Sequence, residues 1–167
     1  TGDVTIGQNI DTTGVAGGDF SVTGANSYTQ NGSISLQNGN FAVTATNAAD
    51  INNTIQTSGG SVTAASGSFD NTGGTILTTG GAVALNTTGG GAVTIGDQID
   101  TSGGTGGLDI ADTAGTVSLG ATITTGSNGI IDFGTNPVVI TSDATATTAG
   151  TGTITFGSTL DGDGDSD

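Results

Sequence analysis

Short alternations of apolar and polar residues recur along the whole chain. A pair of aliphatic residues separated by one polar residue, such as Val4 and Ile6, precedes a polar turn, and a single apolar residue such as Ile10 follows it. The same pattern returns in "GAVTIGDQIDTSG" from Gly91 and in "GTVSLGATITTG" from Gly115. Alternation over three to five residues, bounded by Gly, Asn, Ser and Thr, predicts short strands that each have one apolar face.

The single apolar residues define a period of roughly 21 residues. A second apolar residue follows about seven positions later in most periods. The first set comprises Ile10, Ile34, Ile55, Ile76, Ile99 and Ile123, continued by Ile140 and Leu160. The second set comprises Phe41, Val62, Val83, Leu108 and Ile130. Each period therefore carries about three short strands.

A period of this length, with three strands and no helix between them, predicts a stack of equivalent coils. Stacking pairs every short strand with the strands above and below it and closes a narrow apolar interior. An antiparallel meander fits the alternation but not the near-constant period. We expect an all-β, right-handed parallel β-solenoid (β-helix) of about seven coils of roughly 21 residues, the right hand being the default for parallel crossovers. Residues 1–160 then form one module, and residues 161–167 form an acidic junction leading into a next repeat or subunit.

The apolar residues of the alternating pairs should point inward and stack in columns. One predicted column holds Val4, Ile6, Val93, Ile95, Val117, Leu119, Ile154 and Phe156. The isoleucines from Ile10 to Ile123 form another. Residues 151–161 also align without a gap on residues 1–11, at an offset of 150. This similarity predicts end-to-end continuation, either within one giant polypeptide or between identical subunits.

The composition excludes several classes of function. The net charge is −15, with no Lys, Arg or His, and phosphate groups are bound through Lys and Arg, so we expect no nucleic acid as a partner. No apolar run reaches the length of about 18 residues that a membrane span needs, so we expect no membrane insertion. Without His, Lys or Cys, only Asp is available as a general base, which predicts a protein that is not an enzyme. Asp109 with Asp112, and Asp97 with Asp100, provide paired carboxylates as in glycosidases, but such pairs at turns are typical of solvated residues.

The C-terminal stretch "LDGDGDSD" places carboxylates at every second position. They are Asp161, Asp163, Asp165 and Asp167. Alternating oxygen ligands suit Ca²⁺, and the stretch resembles the first half of a D-x-D-x-D-G calcium loop, although Ser166 occupies the glycine position and no Glu follows. The sequence therefore predicts a Ca²⁺ site at these four residues, with a solvated charged linker as the alternative.

The G-x-V-T-I-G-x-x-I-D-T-x-G coils resemble the β-helical shafts of filamentous haemagglutinin-like and giant-repeat bacterial adhesins. The resemblance implies a secreted protein at the cell surface, which is a structural part of an adhesin stalk, fibre or sheath. Its implied partners are identical subunits or adjoining repeats end to end, and a cell-surface or matrix polysaccharide. Two alternatives remain open. An ice- or surface-binding solenoid would use Thr ladders such as residues 122–124, 151–155 and 44–46, and an aromatic-lined groove would favour a carbohydrate-binding or lytic β-helix.

Overall fold

The fold is described by a computed structural model that covers residues 2–15, 17–111 and 113–162. Within these ranges all regular secondary structure is β-strand, arranged in three parallel sheets of eight, seven and seven strands. The coils number about seven and lie roughly 22 residues apart. The predicted parallel β-solenoid is therefore confirmed, whereas its right hand stays a prediction. No helix in the described part of the chain is long and apolar enough to span a membrane.

Each coil contributes one strand to each sheet, in a fixed order. The first sheet contains β1 (Val4–Ile6), β4 (Tyr28–Gln30), β7 (Ala48–Ile51), β10 (Ser68–Asp70), β13 (Val93–Ile95), β16 (Val117–Leu119), β19 (Val138–Ile140) and β22 (Leu160–Gly162). The second sheet contains β2 (Ile10–Asp11), β5 (Ile34–Ser35), β8 (Ile55–Gln56), β11 (Ile76–Leu77), β14 (Ile99–Thr101), β17 (Thr122–Ser127) and β20 (Thr145–Ala149). The third sheet contains β3 (Phe20–Ala25), β6 (Phe41–Ala45), β9 (Val62–Ser66), β12 (Val83–Thr87), β15 (Leu108–Ile110), β18 (Ile131–Asp132) and β21 (Ile154–Thr155).

Alternation along each strand decides which side chains enter the core. In β13, Val93 and Ile95 are fully buried, and Thr94 between them lies at the surface. The register places Val93 beside Val117, and Ile95 beside Leu119 in the next coil. Similar side chains therefore stack in columns along the axis, and each large aliphatic side chain buried in this way contributes about 1.5–3 kcal/mol.

The predicted isoleucine column runs through the second sheet. Its members from Ile10 to Ile123 are register partners in consecutive coils. The next member is Ala146, not Ile140 as the spacing predicted. Ile140 and Leu160 lie in the first sheet instead. The column prediction is confirmed for its six isoleucines and wrong for its continuation, because an alanine takes the inward position in β20.

The repeated V-T-I-G-x-x-I pattern encodes two strands joined by a sharp corner, and it is used at more than one corner. Val4 and Ile10 lie on the first and second sheets, whereas Ile154 and Leu160 lie on the third and first. Ile154 stacks on Ile131, so its predicted place in the column of Val4 is wrong. The alignment of residues 151–161 on residues 1–11 therefore does not correspond to a whole number of coils.

The inward residue of β18 is Ile131, not Ile130 as the spacing predicts. Ile131 pairs with Leu108 and is fully buried, and Ile130 is 49% exposed. Neighbouring residues of a strand face opposite sides of the sheet, so a shift of one residue exchanges core and surface. Two adjacent isoleucines leave that choice open in the sequence.

The corner between the second and third sheets is built around a glycine in every coil. A Cβ on Gly81 would lie closer than 3.0 Å to the carbonyl oxygen of Gly60, and the same holds along the stack. The stacked glycines are Gly39, Gly60, Gly81, Gly106, Gly129 and Gly152. Real Cβ atoms do not tolerate such an approach to backbone, so this corner requires glycine whatever its φ.

Inward-pointing threonines complete the same corner. Thr57, Thr78, Thr101 and Thr125 are buried, and each Oγ1 donates a hydrogen bond to the carbonyl oxygen of the corner glycine in its own coil. Half-buried Thr148 makes the equivalent bond to Gly152, at 3.1 Å. A carbonyl turned into the core would otherwise lack a partner, at a cost of about 1–3 kcal/mol.

Buried amides serve the corner between the first and second sheets in a similar way. The Nε2 of Gln30 donates to the carbonyl oxygen of Gly32, at 3.0 Å, and the Nδ2 of Asn71 donates to that of Gly74, also at 3.0 Å. Three buried oxygens have no partner among the described residues: Tyr28 Oη, Gln30 Oε1 and Asn136 Oδ1. Burial raises the pKa of the Tyr28 phenol, so this hydroxyl stays neutral.

Replacing Ile95 by Ala should destabilise the fold by about 2–5 kcal/mol, because it leaves a cavity in a fully packed column. The Ile130→Ala substitution removes the same atoms from the surface and should change stability by less than about 0.5 kcal/mol. Urea unfolding followed by circular dichroism measures both. A loss for Ile130→Ala as large as that for Ile95→Ala would contradict the observed inward and outward assignment.

The Gly81→Ala substitution should destabilise the protein by about 1–3 kcal/mol or more, because the new methyl group meets backbone that cannot move away without disturbing the ladder. Gly7→Ala is the matched control, since a Cβ at Gly7 has no atom within 4 Å. The control should leave stability unchanged or raise it by about 0.4–1 kcal/mol. Thermal melting of the two variants compares them directly, and similar melting temperatures would disprove the steric role of the corner glycine.

Candidate functional site

The acidic segment predicted to bind Ca²⁺ lies mostly beyond the described part of the chain. Asp161 is an exposed residue of β22, paired with Val139. Asp163, Asp165 and Asp167 lie outside the described residues. Among the residues that are described, no group of three or more potential metal-ligating side chains comes together. The Ca²⁺ site therefore stays a prediction.

Of the aspartates that form the candidate glycosidase pairs, Asp97 lies at a bend, whereas Asp100 lies in β14 and Asp109 in β15. Asp97 Oδ2 accepts a hydrogen bond from the backbone N–H of Gly73, at 3.0 Å, and Asp100 Oδ1 accepts one from that of Ser102, at 2.8 Å. Asp112 lies outside the described residues. Asp100 thus holds the backbone two residues further on, as is typical of aspartate beside turns, and Asp97 binds the backbone of the preceding coil.

Threonine forms only a small regular patch on the outer face of the second sheet. Thr122 pairs with Thr145, and Thr124 with Thr147, which gives a two-by-two array in the last two coils of this sheet. The outward position beside the isoleucine column varies elsewhere, being Asp11, Ser35, Gln56, Leu77 and Asp100. The threonine patch therefore covers two coils and not the whole face.

The turn between the second and third sheets varies in length, being longest in the first coil, before Phe20, and lengthened again before Leu108. The turn from Thr101 to Leu108 spans seven positions, whereas the equivalent turn from Thr78 to Val83 one coil earlier spans five. Thr105 in this longer turn lines surface clefts on both of its sides. Insertions in one repeat of a solenoid often mark its binding face.

One of these clefts lies on the outer face of the third sheet, and we call it the third-sheet cleft. Its volume is about 430 Å³. Its apolar part comprises Ala82, Ala84 and Ile130, and its polar part comprises Thr105, Asp109, Asn128 and Asp132. No aromatic residue lines it within the described part of the chain.

The cleft exists because small residues adjoin a large one on the same outward column. Ile130 occupies the position before the inward residue of its strand, and the carbonyl oxygen of Ile130 accepts a hydrogen bond from the backbone N–H of Leu108. Gly107 and Ala82 occupy the same position in the two preceding coils. Gly107 has no room for a side chain, because a Cβ there would lie closer than 3.0 Å to the Ile130 backbone. The Ile130 side chain therefore forms an apolar wall of the cleft, and the small residues Gly107 and Ala82 form its floor.

Two carboxylates stack one strand apart within this cleft. Asp109 pairs with Asp132, and parallel strands lie about 4.8 Å apart. Asp132 Oδ1 accepts a hydrogen bond from the N–H of Gly134, at 2.9 Å, whereas Asp109 makes no side-chain hydrogen bond to any described residue. Asn128 Oδ1 accepts hydrogen bonds from the N–H and the hydroxyl of Thr151, at 3.1 and 2.6 Å.

A second stacked pair, Asp50 and Asp70, lies on the first sheet. Partial burial, together with the repulsion from Asp70, raises the pKa of Asp50 above its usual value. The residues two positions earlier on the same face are Ala48 and Ser68, both small. This pair therefore has the same charges as the cleft pair but no apolar wall beside it.

Comparisons with known proteins were made at the level of families, sequences and structures, and no family model, curated protein or solved structure matches the chain. The resemblance to adhesin shafts therefore holds for the β-solenoid architecture, and membership of that family stays a hypothesis.

Replacing Asp50 by Asn should stabilise the protein at pH 7 by about 0.2–1 kcal/mol, the usual size of a cross-strand pair effect. The raised pKa of Asp50 means that its ionisation opposes folding as the pH rises through the folded-state value. The unfolded-state pKa of aspartate is about 3.9. At a pH well below about this value the carboxyl is neutral in both states, so the gain in stability should disappear. Thermal melting between about pH 2.5 and about pH 7, a range that spans the unfolded-state pKa, measures the effect.

Asp161→Asn is the control, because it removes the same charge from a residue paired with Val139 instead of an aspartate. A gain at pH 7 that is no larger for Asp50→Asn than for this control would show that the stacked carboxylates do not repel measurably.

Proposed function

We propose that the chain is a structural, non-enzymatic segment of an extracellular shaft, forming part of an adhesin stalk, fibre or cell-surface sheath in which solenoid modules stack end to end. The observation that supports the proposal is the state of the apolar core at the two ends of the stack. Burial of apolar surface drives association, so exposed core at an end favours a further coil there.

In the last described coil, core residues are more exposed than the residues at the same positions one coil earlier. Ile154, Phe156 and Leu160 are 38%, 37% and 53% exposed. The residues one coil earlier, Ile131, Phe133 and Val138, are fully buried. Phe156 stacks on Phe133 with ring centroids 4.8 Å apart, and its other face is left for a neighbour.

The N-terminal end shows the same contrast. Val4, Ile10 and Phe20 are only partly buried, whereas the residues that follow them in the columns, Tyr28, Ile34 and Phe41, are at most 1% exposed. The two residues of each pair share the same inward position, so the difference in exposure comes from the missing cover and not from orientation. Among the described residues, the first and last coils therefore carry apolar side chains that are less covered than their counterparts, as expected at positions where a further coil would pack.

Electrostatics oppose such stacking unless cations take part. Every ionised side chain is an aspartate, and the first coil carries Asp3, Asp11 and Asp19. Two modules of this kind repel each other at low ionic strength. We propose Ca²⁺, bound by the acidic segment of residues 161–167, as the ion that reduces this repulsion, because it prefers carboxylate oxygens.

The Phe156→Asp substitution should weaken self-association, because it places a charge in the apolar contact between modules. Sedimentation velocity over a range of protein concentrations should show large assemblies for the parent and a shift toward single modules for the variant. Ile130→Asp is the control, since it makes the same kind of change in the middle of the shaft. Circular dichroism establishes that both variants remain folded.

The same measurement at fixed ionic strength, with Ca²⁺ and then with a chelator, tests the ion. Assembly should be stronger with Ca²⁺. A parent protein that stays monomeric at every concentration with Ca²⁺ present would overturn end-to-end stacking, and equal assembly in both conditions would remove Ca²⁺ from the proposal.

A further inference from the structure

We propose that the third-sheet cleft binds one unit of an amino-sugar polymer, with the sugar ring against Ile130 and its ammonium group between Asp109 and Asp132. The site lies on the side of the shaft and does not depend on contacts at the ends. The inference is therefore independent of the proposed end-to-end stacking and is tested separately.

The apolar wall is the first argument for a ligand. Ile130 is 49% exposed in the body of the stack, whereas the other large exposed apolar residues among those described are Val15 in the first coil and Ile154, Phe156 and Leu160 at the other end. The same outward position carries only polar or small residues in the other coils, namely Asp19, Asn40, Ser61, Ala82, Gly107 and Thr153. Single exposed apolar residues are common on protein surfaces, so Ile130 supports a ligand only because it lies in the same cleft as the two carboxylates.

The carboxylates determine the charge of the ligand. Asp109 and Asp132 are neighbours across the sheet, and the chain has no Lys, Arg or His that could neutralise them. An anionic polysaccharide would be repelled here. An ammonium group placed between the two carboxylates would make charge-assisted hydrogen bonds, which are stronger than those to a neutral hydroxyl.

The remaining polar groups suit the hydroxyls of a sugar. Thr105 supplies a hydroxyl, and Asn128, whose Oδ1 is occupied by Thr151, has its Nδ2 left as a donor among the described residues. The cleft volume of about 430 Å³ falls within the usual range of ligand pockets. Without an aromatic side chain on which a neutral sugar could stack, attraction to the ammonium group has to provide much of the affinity. This requirement favours amino sugars over neutral ones.

The experiment titrates the full chain with three probes at fixed ionic strength: the fully deacetylated glucosamine hexamer, its N-acetylated counterpart, and spermine as an amine without a sugar ring. Isothermal calorimetry or ligand-observed NMR gives the affinities. We expect the parent to bind the glucosamine hexamer at least about tenfold more tightly than the acetylated hexamer, a difference that corresponds to one unit of log Kd.

The Asp109→Asn/Asp132→Asn double variant should lose at least about tenfold in affinity for the glucosamine hexamer. The Asp50→Asn/Asp70→Asn double variant is the matched control, because it removes the same charge from a stacked pair without an apolar wall, and it should stay within about twofold of the parent. Ile130→Ser should weaken binding of the hexamer but leave that of spermine unchanged. Thermal melting establishes that the variants are folded, as expected for surface positions.

Three outcomes would overturn the proposal. Equal losses in the two double variants, or equal losses of spermine and hexamer binding in Ile130→Ser, would show nonspecific attraction to a negative surface. Equal binding of the acetylated hexamer would show that the ammonium group has no role. Absence of binding by the parent would exclude an amino-sugar site altogether.

Discussion

Neighbouring coils approach so closely at the corner between the second and third sheets that a side chain cannot fit there. A Cβ on the corner glycine would collide with the carbonyl oxygen of the glycine one coil below, while the ladder spacing of about 4.8 Å is fixed by backbone hydrogen bonds. The sharp turn also directs the glycine carbonyl inward, and a buried threonine of the same coil donates to it. This repeated arrangement requires a glycine in each coil and uses a threonine in five of them, and so accounts for part of the high content of Gly and Thr.

Hydrogen-bonded ladders along the axis replace the ion pairs that this chain cannot form. Asn47 Nδ2 donates to Asn26 Oδ1 at 3.0 Å, and Asn26 Nδ2 donates to Asp3 Oδ1 at 2.8 Å. Both bonds point toward the N-terminal end, so a carboxylate, which only accepts, closes the ladder without leaving a donor unpaired. Aspartate is therefore useful at the first coil for a local reason, even though its charge adds to the repulsion between modules.

The sequence predicts the parts of the fold that depend on periodicity. The isoleucine column from Ile10 to Ile123 follows from spacing, because the residue that enters the core recurs once per coil. It is harder to predict which of two neighbouring residues points inward. Ile130 and Ile131 are both apolar, and only the pairing with Leu108 decides which is buried. The inward position of the corner threonines also could not be predicted from the sequence. A threonine hydroxyl can bind solvent on the outer face of a sheet or a corner carbonyl on the inner face.

The third-sheet cleft could not be predicted for a related reason. Its floor consists of residues far apart in sequence, Ala82 and Gly107, which adjoin Ile130 only once the register is known. The available signal was the inserted turn before Leu108, which lengthens its coil relative to the three coils before it. The ladder resumes in register at Leu108 with Val83 and Ile131 on either side, so the insertion leaves the core unchanged. Lengthening a surface loop costs little free energy, and a solenoid can therefore vary its outer surface at such turns while the glycine and threonine corners keep the interior constant. Recognition on a shaft of this kind is expected where the repeat is interrupted, because the uninterrupted coils present the same small polar residues to every ligand.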